Sequence, residues 1–304
     1  MLRRSAPVPT RAPSSVRGRA GFTLIELLVV IAIIAALVGL TIAGVMRVLG
    51  AGPRAQTSST LSALANGINT FAAERQVPYI PAGSYDTATN RWTGPFRLQN
   101  SYPDTSWPEA QYIARVFGRV NFGNLGYDPR QLGPGAPQLP VQLDANQTLL
   151  FFLNGIQDND GNGNVAFRGF SKNPQQPFAA PAAVGENRLG PYFGEITARQ
   201  YVTRPGEFAR IIDGWRTPIA YFTAYNAKAQ PVPSTTYGGW NPLAMGLNGP
   251  YFTGTGYANP SGFQLISAGE NKRFGAGGNW ANVSLDGADD RANFSPNNLG
   301  AGPQ

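Results

Sequence analysis

The chain of 304 residues has no histidine and no cysteine, and only 13% of its residues are charged. Without imidazole or thiol there is no histidine base, no cysteine nucleophile, no disulfide and none of the common zinc sites. Most familiar enzyme mechanisms go with them, and the expectation is a protein that is not an enzyme. A hydrolase built on two carboxylates needs no histidine, yet no paired acidic motif supports one. The lack of cysteine does not place the chain in the cytoplasm, because core packing or a bound hard cation can hold an exported domain as well. Acidic residues are missing from the first 21 positions, which hold Arg3, Arg4, Arg11, Arg17 and Arg19. The formal charge of +7 is concentrated there, and the remainder is nearly neutral, with 19 basic against 17 acidic residues. No nucleic-acid partner is expected from so even a body. Glycine (37) and proline (26) are abundant, which predicts a loop-rich extracytoplasmic domain with long ordered loops.

From Phe22 to Met46 the sequence reads FTLIELLVVIAIIAALVGLTIAGVM, 25 residues with the single charge Glu26. As a helix this run would extend roughly 37 Å, against a hydrocarbon core of about 30 Å, so it is long enough to span a membrane. The arginine-rich leader stays cytoplasmic by the positive-inside bias, and everything after Arg47 crosses. An ordinary secretory signal has a shorter apolar stretch followed by a small-residue cleavage site, and no such site follows residue 46.

The junction Gly21-Phe22-Thr23-Leu24-Ile25-Glu26 resembles the signal read by prepilin peptidase in type IV pilins and type II secretion pseudopilins. The resemblance is most specific over residues 21 to 38. It implies cleavage between Gly21 and Phe22 and methylation of the new amino terminus, so that the anchor survives processing. Gly21, lacking a side chain, lets an extended backbone enter a protease site; it also suits a hinge before a helix. A carboxylate in a spanning helix costs up to about 2.5 to 3.5 kcal/mol at the centre and less near an end, so Glu26 needs compensation. Cleavage would create an α-amine at Phe22, one helical turn from that carboxylate. In the family, the glutamate of one subunit pairs with the amine of its neighbour during assembly; otherwise Glu26 snorkels to the headgroups or pairs with its own amine.

Beyond the membrane, Leu61, Leu64, Ala65, Ile68, Phe71 and Ala72 fall on one helical face, which predicts an amphipathic helix from about Thr57 to Gln76, stopped by Pro78. Gly50-Ala51-Gly52-Pro53 predicts a kink or short non-helical break, serving as a hinge or as a plain linker. Two shorter helices are expected at 108–117, opened by Pro108 and Glu109, and at 144–153, capped by Asp144. Asp158-Asn159-Asp160-Gly161-Asn162-Gly163 has the look of a calcium loop, but an EF-hand starting at Asp158 would need an acid where Gly169 stands. It reads as a polar turn or a partial ion site. Phe208 to Asp213 and Thr217 to Tyr225 read as paired strands, and Phe263 to Ser267 as another.

A second resemblance covers residues 208 to 294. Asp213-Gly214-Trp215-Arg216-Thr217-Pro218 is similar to a turn of the major pseudopilin, Phe263 to Gly269 to the strand before its calcium loop, and Asp289 to Phe294 to its closing acidic segment. This implies calcium held by Asp289 and Asp290, with Ser267 and nearby carbonyls as further ligands. Lys272 and Arg273 depart from the family pattern, and Asp289 and Asp290 equally fit a solvated turn.

The fold expected is α+β and pilin-like: a long amino-terminal hydrophobic helix, half transmembrane and half amphipathic, packed on a carboxy-terminal antiparallel β-sheet with long loops. The expected organisation is a removable leader at 1–21, a transmembrane and assembly helix at 22–49, a hinge and amphipathic helix at 50–76, and a periplasmic globular domain at 77–304. The function implied is a structural subunit of a type II secretion pseudopilus or related type IV filament, single-pass in the inner membrane. Its partners would be prepilin peptidase, copies of itself and other pilins, and an inner-membrane assembly platform. A competing reading is a membrane-tethered periplasmic binding module using Trp92, Trp107, Trp215, Trp240 and Trp280 as sugar-stacking or protein-contact residues.

Overall fold

The computed structural model describes residues 22–159, 164–183, 185–194, 196–204, 206–225, 243–254, 256–259 and 262–301, with side chains at 40, 42–49, 92, 93, 281 and 301 left out. The chain divides into two compact units, Met1–Leu49 and Gly50–Gln304. The described residues are α+β, as the pilin-like resemblance implies.

Helix α1 is Leu24–Arg75, with Pro53 inside it. In the second unit its stripe Leu61, Leu64, Ile68 and Phe71 is buried in the main core, each side chain worth about 1.5 to 3 kcal/mol of transfer free energy. The helix ends where Gln76 takes a left-handed φ of 53° and the Val77 N–H reaches back to the Ala72 carbonyl at 3.1 Å, ahead of Pro78. The short break predicted at Gly50 to Pro53 does not form, since these four residues are helical. Thr57 Oγ1 donates to the Pro53 carbonyl at 2.8 Å, and the backbone of Gly214 lies against Pro53, so neighbouring groups support the turn that proline weakens.

Helix α2, Pro108–Phe117, starts on proline and buries Ala110, Ile113, Val116 and Phe117. Helix α3, Ala145–Asn154, carries a full capping box, with Asp144 accepting from the Gln147 N–H and Gln147 returning the bond. It is buried almost all round, so its polar side chains need internal partners. Asn146 supplies this by exchanging hydrogen bonds with Ile211 and donating to the Ile219 carbonyl, and Asp144 pairs with Arg210 at 2.7 Å.

The strands are short. Antiparallel pairs join β1 (Ser84–Asp86) to β2 (Arg91–Gly94), β3 (Phe96–Leu98) to β4 (Val141–Leu143), β5 (Gln157–Asn159) to β6 (Val165–Phe167), and β7 (Tyr201–Val202) to β8 (Arg210–Ile211). The carboxy-terminal part adds β9 (Ala220–Thr223), β10 (Tyr251–Thr253), β11 (Gly256–Tyr257), β12 (Phe263–Ser267), β13 (Gly278–Asn279) and β14 (Arg291–Ala292). Here β12 is central in the antiparallel sheet β14-β12-β9, while β10 pairs antiparallel with β11 and parallel with β13. The predicted pairing of 208–213 with 217–225 is reduced to a bridge between Ile212 and Pro218. The Ile219 N–H still donates to the Ile211 carbonyl at 3.0 Å, while β8 pairs with β7 and β9 with β12, and Asn146 of α3 donates to the Ile211 and Ile219 carbonyls.

Two cores result. The larger joins the second half of α1 to α2, α3 and β3, and the smaller gathers Tyr251, Ile266, Phe274, Ala292 and Leu299 under the carboxy-terminal strands.

Candidate functional site

The amino-terminal junction is built on the first turn of α1. Thr23 sits in the N-cap position, where its backbone N–H and its hydroxyl donate to Glu26 Oε2 at 2.8 and 2.9 Å, and its Oγ1 accepts from the Glu26 N–H at 3.2 Å. This is a capping box, and the Thr-x-x-Glu spacing that signals it was present in the sequence. The two bonds to the Glu26 carboxylate both use Oε2; among the described residues nothing donates to Oε1. Phe22 is 85% exposed, and the apolar side chains from Leu24 to Val38 are exposed around the whole circumference of the helix. Gly21 and the arginine-rich leader lie outside the described residues, as do the side chains of much of 40–49. Among the described residues no helix is long and apolar enough to cross a membrane.

In the second unit, the carboxy-terminal acids lie around β12 and β14. Asp290 is fully buried; its Oδ2 accepts from the Gly275 N–H at 2.8 Å and from the Tyr251 hydroxyl at 3.3 Å, while among the described residues its Oδ1 has no hydrogen-bond partner. Burial pushes its carboxyl up to about 7, with Asp289 and Asp286 adding repulsion against the Gly275 bond. Asp289 Oδ2 accepts from the Asn271 N–H at 2.9 Å. The hydroxyl of Ser267 donates to Asp213 Oδ2 at 2.6 Å and accepts from the Gly269 N–H at 3.2 Å. Arg273 pairs with Asp286 at 3.1 Å. Among the described residues no group of three or more acidic side chains is arranged to hold a metal ion.

Asp213 is the hub of this region. Fully buried, it gathers the Trp215 and Thr217 N–H groups on Oδ1, at 2.9 and 2.8 Å, and the Ser267 hydroxyl on Oδ2. Burial raises its pKa against the pull of these donors. The turn it organises then reaches α1 through the Gly214 N–H, which donates to Thr57 Oγ1 at 3.0 Å. Two more contacts bind the same stretch of helix, Arg54 with Glu270 at 3.3 Å and Arg291 with Ser58 at 3.0 Å. Gly50-Ala51-Gly52-Pro53 therefore adjoins a docking point for the carboxy-terminal loops.

Trp107 packs beside the larger core and Trp280 beside the smaller, against Phe294; Trp240 and the side chain of Trp92 lie outside the described residues. Asp158 is engaged by the Gly133 N–H at 2.7 Å and by Arg168, and positions 160–163 of its turn lie outside the described residues.

No curated protein and no solved structure matches the chain. A family model described as the prokaryotic N-terminal methylation motif matches residues 16–42, the stretch that includes Gly21, Phe22, Thr23 and Glu26. The chain thus carries a type IV pilin-like amino-terminal signal, which implies processing by prepilin peptidase and assembly with pilins.

Proposed function

We propose that the protein is a structural subunit of a type II secretion pseudopilus or a related type IV filament, and not an enzyme. In this reading it is anchored by the run from Phe22 to Met46 in the inner membrane, with its leader cytoplasmic and its large domain periplasmic. The observation that carries it is the methylation motif over residues 16–42 with Glu26 in the expected place after Gly21 and Phe22. Removal of the leader frees the α-amine of Phe22. The capping box occupies Glu26 Oε2 and leaves Oε1 for such an amine on a neighbouring subunit, so helix initiation and subunit pairing do not compete for one oxygen. In a low-dielectric setting that pairing neutralises two otherwise costly charges. The exposed apolar circumference of α1 supplies the surface that lipid or neighbouring helices would cover.

Calcium at the carboxy-terminal loop belongs to the same proposal. Asp290 Oδ1, buried without a donor among the described residues, is an oxygen of the kind a hard cation takes up, and the Asp289 carboxylate is close enough to repel its charge. Ser267 would support the loop through Asp213 or offer a lone pair. A bound cation would relieve the repulsion among these acids.

The test substitutes Glu26→Ala. Processing is expected to continue, because the cleavage junction is intact, while recovery of the subunit in sheared or cross-linked filaments falls by at least about tenfold, the loss of a buried charge pair. Unchanged filament incorporation would remove the pairing role.

A further inference from the structure

Outside these segments, a polar cleft opens between the amino-terminal turn of α2 and the β1–β2 hairpin. It consists of two adjoining chambers of about 70 and 380 Å³, which share Ser84, Thr87, Pro108 and Glu109 on their walls. Glu109 is the unusual member. It is only 2% exposed, its Oε1 accepts from the Arg97 N–H at 3.1 Å, and among the described residues no donor reaches its other oxygen. A nearly buried carboxylate whose second oxygen opens only to a cleft takes its remaining donor from whatever fills that cleft, water or a ligand hydroxyl.

The surroundings define that donor. Two acids, Asp86 and Glu109, face two bases, Arg97 and Arg115, so the walls are charge-balanced and do not select a charged ligand. Aromatic surface is plentiful: Tyr79 and Tyr225 stack in parallel at 4.4 Å, Tyr85 meets Tyr225 edge-on at 4.9 Å, and Trp107 lines the second chamber under the Arg97 guanidinium. Among the described residues no leucine, isoleucine, valine or methionine lines either chamber, so these walls offer no aliphatic pocket to anchor a peptide side chain. Rings for an apolar C–H face, together with carboxylate, amide and guanidinium groups for hydroxyls, match a pyranose sugar.

We propose that this cleft binds a neutral saccharide, with the free oxygen of Glu109 accepting from sugar hydroxyls and the exposed face of α2, Gln111 and Arg115, contacting the same ring. This goes beyond filament assembly, because it gives the large domain a ligand of its own.

The experiment uses the full chain in a detergent without a sugar headgroup, applied to an array of neutral oligosaccharides that also carries acidic glycans and proline-rich peptides. A neutral oligosaccharide is expected to bind, and titration of the best one by saturation-transfer NMR gives its affinity. Glu109→Gln and Gln111→Ala should each weaken it by about tenfold, the loss of one good hydrogen bond or more. Gln111 and Arg115 are exposed, so Gln111→Ala and Arg115→Ala keep the melting temperature of the parent and decide the matter if Glu109→Gln does not fold. Binding to no neutral glycan, binding only to acidic glycans or peptides, or full affinity in these variants would overturn the proposal.

Discussion

At the residue scale, Thr23 and Glu26 show how one carboxylate can serve two purposes. Glu26 caps its own helix through one oxygen and keeps the other open, a division that only the geometry reveals, although the Thr-x-x-Glu spacing was legible. Gly214 was legible only as part of a turn. Its need for glycine comes from a backbone distant in sequence, because a Cβ there would overlap the Pro53 carbonyl. We predict that Gly214→Ala destabilises the protein by about 1 to 3 kcal/mol through this overlap, read as a lower thermal midpoint. Gly94→Ala, where among the described residues no atom beyond its chain neighbours lies within 4 Å of an added Cβ but φ is 128°, separates backbone strain from overlap. An unchanged midpoint for Gly214→Ala would dissociate the turn from the helix.

At the scale of elements, the helices were the legible part. The stripe from Leu61 to Phe71, the proline opening α2 and the Asp144 cap of α3 are local signals, and local periodicity suffices to read them. Strand β12 was equally clear. Its neighbours were not, because the partners of Phe263 to Ser267 lie at Ala220 to Thr223 and at Arg291 to Ala292, pairings that no local pattern encodes. The buried acids of this region also set an expectation. Asp290 holds its proton up to about pH 7 when folded but only to about pH 4 when unfolded, so without metal the stability it contributes falls as pH rises across that window. In chelator the thermal midpoint should therefore drop between about pH 4 and pH 7, and Asp290→Asn should flatten that drop. Calcium at pH 8 should restore several degrees to the parent chain and none to the variant. Equal midpoints in calcium and chelator would count against the site.

At the scale of the whole molecule, the chain joins a short stretch with a recognisable signal to a large unit whose central carboxy-terminal sheet rests on long-range pairings. The signal spans residues 16–42, and the described residues of the unit from Gly50 onward form short strands, helices and long loops around two cores. The cleft at Glu109 was not legible because it is assembled from residues 79 to 115 and Tyr225, and no motif links them. The central claim concerns the junction. Mass spectrometry of the protein taken from its native membrane reads it directly: the account predicts an amino terminus at N-methylated Phe22, and a mature chain still beginning before Gly21 would contradict it.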